Sequence, residues 1–270
     1  MQANRNLPDA NKLSVITATI MLAYAITPFI NLPGQQVNLQ LPGFLLQFRL
    51  DISTLISVFV AFLAAAGTDW LIQGHPAAAG TARLPNWLLP ALTAWVIGVP
   101  LTTLEISTQW WFVFALGGVL LILVLVSEYI VVDPLDARQG LASVSLIAVS
   151  YALYLILAIS VRTASLRLYA ILFSLTPVVF LVTFRALFLR NHRWLPAWAA
   201  GITLVVGQIA VGLYYLPIRP LQFGLVLLGL TYALTSLAAG IEGRQPWRLV
   251  WVEPVVMAVI IWSIALLVQT

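Results

Sequence analysis

Charge is so sparse in this chain that its placement, more than any motif, decides what the chain can fold into. Its 13 basic and 9 acidic residues leave nine uncharged runs of at least 17 residues, at 13–48, 52–68, 84–104, 106–127, 139–161, 168–184, 194–218, 220–241 and 254–270. A helix rising 1.5 Å per residue crosses about 30 Å of hydrocarbon in roughly 20 residues. Each run reaches that length once a polar side chain at its end extends to the headgroups. With 61% hydrophobic and 8% charged residues, the chain lies far below the roughly 25% charged content of a soluble domain. The fold class expected is therefore an all-α integral membrane protein.

Helices are predicted at about 13–31, 52–72, 87–105, 110–132, 141–161, 168–189, 195–216, 221–241 and 249–268. Their connections are too short to hold a separate domain, so residues 1–270 are expected to form one polytopic bundle of about nine transmembrane helices. Arg5 and Lys12 followed by Ala23-Tyr24-Ala25 resemble a secretory leader. The apolar stretch continues through Ile26, Phe29 and Ile30 with no polar region before the Ala-x-Ala pattern, and an uncleaved first helix is expected.

One connection breaks the helical pattern. In Val37, Leu39 and Leu41, and again in Phe44, Leu46, Phe48 and Leu50, apolar residues alternate with polar ones at period two. An extracytoplasmic β-hairpin turning at Pro42-Gly43 is predicted between the first two helices. Pro-Gly favours a type II turn, whose twist suits a two-residue hairpin poorly, so a wider connection is expected.

Basic residues orient the bundle. With a cytoplasmic N-terminus, the inner side holds Arg5, Lys12, Arg83, Arg138, Arg185, Arg190, Arg193, Arg244 and Arg248, against Arg49, Arg162, Arg167 and Arg219 outside. That excess predicts an inner-membrane protein with its N-terminus in the cytoplasm and its C-terminus outside. Eight tryptophans fall near predicted helix ends (70, 87, 110, 111, 194, 198, 247 and 251), where indoles anchor in the headgroup layer, while Trp95 and Trp262 fall mid-span as core residues. The basic residues are spread over the loops, so no nucleic-acid partner is expected. The bilayer is the partner implied, together with other membrane subunits if the chain works in a complex.

Four ionisable residues, Asp69, Glu128, Arg185 and Glu253, lie about one turn inside the predicted cytoplasmic boundary. Charges in hydrocarbon cost several kcal/mol unless paired or hydrated, so these four are expected to face inward as a buried polar layer. Ser53, Ser57, Ala61, Ala65 and Asp69 recur every four residues, which predicts a packing face ending at Asp69. Gly117 lies eleven residues before Glu128 on the same azimuth, which turns Glu128 toward a neighbouring helix. Either Arg185 neutralises the acids and locks helices together, or the excess of acids leaves a cytoplasm-facing pocket for a proton, a cation or a lipid headgroup.

Asp133 and Asp136, in Asp-Pro-Leu-Asp, form a weaker candidate pair. An Asp-x-x-Asp at a membrane boundary can hold Mg²⁺ and a diphosphate, but a single copy beside Pro134 reads first as a helix-ending turn. His75 and His192 have no metal-site spacing, and Arg190, His192 and Arg193 are expected to contact anionic lipid. The chain has no cysteine, which removes thiol chemistry. No catalytic residue, metal or cofactor is expected.

Glu128-Tyr129 running into Asp133-Pro134-Leu135-Asp136, with Tyr214-Tyr215-Leu216-Pro217, Phe223-Gly224 and Tyr232, resembles an uncharacterised bacterial family of multi-pass membrane proteins known as a domain of unknown function. The resemblance spans most of the chain after residue 52. It implies a bacterial plasma membrane and no particular substrate. A small-molecule or proton-coupled transporter is the first functional class considered, a structural or accessory subunit the second, and an enzyme on a lipid-linked substrate the third.

Overall fold

The computed structural model describes residues 8–30, 35–41, 44–50, 52–75, 84–133, 135–164, 166–244 and 246–267. Among them are nine helices: α1 (Ala10–Ile26), α2 (Ile52–Ile72), α3 (Leu84–Thr103), α4 (Thr108–Val131), α5 (Gln139–Thr163), α6 (Leu168–Asn191), α7 (Pro196–Tyr214), α8 (Pro220–Glu242) and α9 (Trp247–Leu267). Charge spacing places every end within three residues except the C-terminus of α1, where Pro28 tightens the chain into one 3₁₀ turn over Thr27–Phe29.

The helices meet the expected fold class. Eight of the nine described are long and apolar enough to cross a membrane, and α3 contributes a shorter apolar stretch, Asn86–Thr102. Asn86, Thr93 and Thr102 lower the apolar content of that stretch. Pro90 and Pro100 inside it withhold the N–H groups due to the Asn86 and Val96 carbonyls.

The expected fold class needs one correction: the β-hairpin leaves it, and the class is all-α. Strands β1 (Gln35–Leu41) and β2 (Phe44–Leu50) pair antiparallel only with each other, add no layer to the helices among the described residues, and would be marginal alone. Leu41 stands opposite Phe44, which leaves two residues between the strands where a wider connection was expected. The turn residues Pro42 and Gly43, and the packing of the strand side chains, lie outside the described residues.

The helices gather into two compact units, Met1–Asp136 and Ala137–Thr270. In the first, Asp9 caps α1 by accepting the Asn11 N–H at 2.9 Å. The core joins Ile16, Ile20 and Tyr24 of α1, Val60, Ala64 and Leu71 of α2, Ala94, Ile97 and Leu101 of α3, and Leu121, Leu125 and Tyr129 of α4. Lipid is as apolar as these side chains, so close packing and buried hydrogen bonds hold such helices together. The Tyr24 hydroxyl donates to the Ala94 carbonyl at 2.5 Å, and only a glycine at position 98 admits it, because a Cβ there would lie 2.8 Å from that hydroxyl.

Two sequence expectations shift here. The buried stripe of α2 runs through Ser57, Val60, Ala64, Thr68 and Leu71, so Ala61, Ala65 and Asp69 flank the packing face and are half-buried. Trp110 is not an interfacial anchor. It is 2% exposed, stacks on Phe114 at 5.2 Å and donates its indole N–H to the Leu101 carbonyl at 3.0 Å, which pins α3 to α4.

In the second unit α8 is the central helix, with Phe223, Leu227, Thr231, Thr235 and Ala238 buried along it. Pro196 and Pro220 open α7 and α8 at positions where a helix has no use for an N–H. His192, expected among lipid headgroups, ends α6 in the left-handed conformation at φ 51°. Arg162, at the end of α5, turns onto the end of α7 and donates to the carbonyls of Tyr214 (3.3 Å) and Leu216 (3.1 Å). Terminal carbonyls that no helical N–H can reach are satisfied in this way.

Candidate functional site

The two units hold different parts of the expected polar layer. Asp69, Glu128, Asp133 and Asp136 belong to the first, Arg185 and Glu253 to the second. Each half is built differently.

In the first unit Glu128 is fully buried on α4, three turns along from Gly117. A Cβ on Gly117 would meet Ile97 of α3 at 2.6 Å. Asp69 accepts a hydrogen bond from the Gln73 amide at 2.7 Å, one turn on. Asp133 accepts the Leu135 N–H at 3.0 Å, a local bond that fixes a turn after α4 and occupies one carboxylate oxygen. His75, just past α2, is buried and meets the Tyr129 ring edge to face at 4.6 Å. Burial holds this imidazole below its ordinary 6.5, against the opposing pull of the Asp133 and Asp136 carboxylates. Among the described residues no three His, Asp or Glu side chains are grouped so as to hold a metal ion.

The second unit assembles a polar site from four helices. Arg190 of α6 donates to Ser236 Oγ at 3.0 Å and to Tyr232 Oη at 3.3 Å on α8, and pairs with Glu253 Oε1 of α9 at 3.3 Å. The Tyr232 hydroxyl donates to the same carboxylate oxygen at 2.8 Å. Tyr151 of α5 closes the group, its ring 5.3 Å from that of Tyr232. The Arg190 guanidinium also lies 5.5 Å from the Tyr232 ring centre, a favourable cation–π distance. The site is not closed: the side chain of Glu253 is 53% exposed and that of Arg190 23%. Pro254, next to Glu253, withholds a helical N–H from the Val250 carbonyl inside α9.

The cation holding Glu253 is thus Arg190, which sequence reasoning assigned to lipid, and not Arg185. Arg185 is 1% exposed and carries its guanidinium 5.5 Å from the Phe188 ring. A signal for the site was present. Thr231, Tyr232, Thr235 and Ser236 put four hydroxyls on adjoining rows in the middle of α8, and Tyr151 and Tyr154 repeat one turn apart on α5. These hydroxyls complete the hydrogen bonds of charged groups but carry no formal charge, so charge spacing does not reveal them.

Helices of membrane length, with ionisable groups satisfied by neighbouring helices, define a multi-pass helical membrane protein. Residues 32–268 match the family described as protein of unknown function (DUF5656), and the chain belongs to that family. No curated protein and no solved structure matches it.

Proposed function

We propose that the protein is a non-enzymatic transporter that moves protons, alone or coupled to a small solute, and that Glu253 is the group that takes up and releases them. The observation that carries this reading is a half-exposed carboxylate held at membrane depth by Arg190 and Tyr232. An ionisable side chain kept in a spanning helix is costly and marks a substrate or proton path by default. Within their own units, Asp69 and Glu128 in the first and Arg185 in the second stand within two turns of the ends of their helices, and these ends are read as cytoplasmic, with the N-terminus in the cytoplasm.

Reconstitution of the full chain into vesicles holding a pH-sensitive dye tests the reading. Under an imposed potassium diffusion potential, proton entry should exceed that of protein-free vesicles and be lost in Glu253→Gln. Wild-type vesicles no faster than protein-free ones refute it.

An accessory subunit of a larger membrane complex is the second reading, and one observation favours it. Gln208, mid-way along α7, is exposed beside Leu204, Val205 and Ile209, between Gly201 and Gly212, where an added Cβ meets no atom within 4 Å. An amide on a bare face with small residues suits another helix better than lipid. A co-purifying membrane partner lost in Gln208→Leu would establish this reading.

A further inference from the structure

In the second unit Oε1 of Glu253 stands at a point on which two donors converge, the Arg190 guanidinium at 3.3 Å and the Tyr232 hydroxyl at 2.8 Å. Those donors do not depend on Glu253 for their places. Arg190 is anchored on Ser236 Oγ at 3.0 Å and lies 5.5 Å from the centre of the Tyr232 ring. Ser236 is buried on α8, and Tyr151, buried on α5, backs the Tyr232 ring. Glu253 is the one exposed member of this group, so its side chain can swing outward while the donors stay.

The carboxylate of Glu253 also fits the donors poorly. Its contact with Arg190 is longer than the roughly 2.7–2.9 Å usual between a charged donor and a charged acceptor. Among the described residues it offers Arg190 one oxygen, whereas a guanidinium fork can hold both oxygens of a free carboxylate or phosphate. Protonation of Glu253 then leaves a largely covered guanidinium with no counter-ion among the described residues, an unfavourable state. The other titratable groups packed around Glu253 there are Tyr232 of α8 and Tyr151 of α5. Both are neutral hydroxyls, and neither supplies the missing charge.

We propose that Arg190 and Tyr232, braced by Ser236, form a site for an exogenous oxyanion, the carboxylate of a small acid or the phosphate of a headgroup, which the Glu253 side chain fills until it takes up a proton. The inference rests on the proton-transport reading and names the solute coupled to the proton. No covalent bond to the anion forms: one proton joins Glu253 as one anion joins Arg190. The two events are linked, so each tightens the other.

Calorimetric titration of the purified chain in a neutral detergent tests the site. Sodium acetate supplies the free carboxylate and short-chain phosphatidylglycerol the headgroup, with sodium chloride and short-chain phosphatidylcholine as controls. At neutral pH, buffers of different ionisation heat count the protons taken up, and wild type should take up about one per anion bound. Glu253→Gln, whose amide carries no competing charge, should bind roughly tenfold more tightly and take up none. Arg190→Gln should abolish binding. Tyr232→Phe keeps the ring and should weaken binding in the Glu253→Gln background, which decides the matter if Arg190→Gln does not fold. Acetate binding identifies a soluble anion, and a response to phosphatidylglycerol alone a headgroup; either sustains the site. Binding that is absent from wild type and Glu253→Gln alike, or that the Arg190 and Tyr232 variants leave unchanged, overturns it. Binding by wild type without proton uptake overturns the part given to Glu253. In a chain that conducts protons in the vesicle assay, those failures leave the transport reading standing. A chain that binds acetate with proton uptake yet does not conduct overturns the transport reading and leaves the site.

Discussion

The Trp262 indole lies against α8 at Gly229, so close that a Cβ added there would stand 2.7 Å from the indole nitrogen. That nitrogen donates to the Val226 carbonyl at 3.2 Å, and the pair fixes how α9 seats on α8. Gly229→Ala must displace a large rigid ring and break its hydrogen bond. A loss of about 1–3 kcal/mol is expected, the usual range for overpacking, read as a lower Tm in detergent. Combined with Trp262→Phe, the loss should be smaller than the sum of the two single changes, because both act on one contact.

Arg190 and Glu253 should be energetically coupled. In a double-mutant cycle of Arg190→Ala and Glu253→Gln, the coupling should be about 1 kcal/mol, the upper part of the range for exposed pairs, because solvent reaches the carboxylate. Additive melting shifts would show that the pair contributes nothing to stability.

Acid should weaken the first unit through His75. Its folded pKa lies below 6.5, so between the two values the unfolded chain binds more protons and stability rises with pH. The contribution of the neutral imidazole is fully present above 6.5 and is lost as pH falls through the folded value. His75→Gln should flatten the dependence of Tm on pH in that window. Asp133→Asn should extend the window downward, because it removes a charge that favours the protonated ring.

The side on which the C-terminus emerges depends on α3. Its apolar stretch, Asn86–Thr102, is shorter than the other eight spans, yet its basic neighbours are distributed as though it crosses. A reporter fused after Thr270 should be active only if it works outside the cytoplasm. Cytoplasmic activity would mean that α3 does not cross.

The helices were legible because hydrocarbon thickness sets their length and charge sets their ends. This signal placed both ends of α6 and α8 within two residues. It weakened at α3, where prolines and threonines dilute the apolar run, and at the α2 stripe, where spacing by four gives a direction only to within one residue. The site was less legible. Depth alone brought Glu253 and Arg185 together, although azimuth decides which guanidinium reaches the carboxylate. Arg185 and Arg190 are five residues apart on one helix, about 140° around its axis. Trp110 was misassigned for a related reason: a tryptophan near a helix end suits an interface, and only a neighbouring carbonyl, here that of Leu101, turns it inward.

The bond from Arg162 to the carbonyls of Tyr214 and Leu216 spans 52 and 54 residues of sequence, which bears on biogenesis. A nascent chain emerges N-terminus first, so Arg162 is threaded into the bilayer before its acceptors have been synthesised. Until then its guanidinium has only water and lipid headgroups for partners. Docking of the α7–α8 hairpin draws it away from them, so this handover from lipid to protein belongs to assembly within the bilayer and follows insertion of α5.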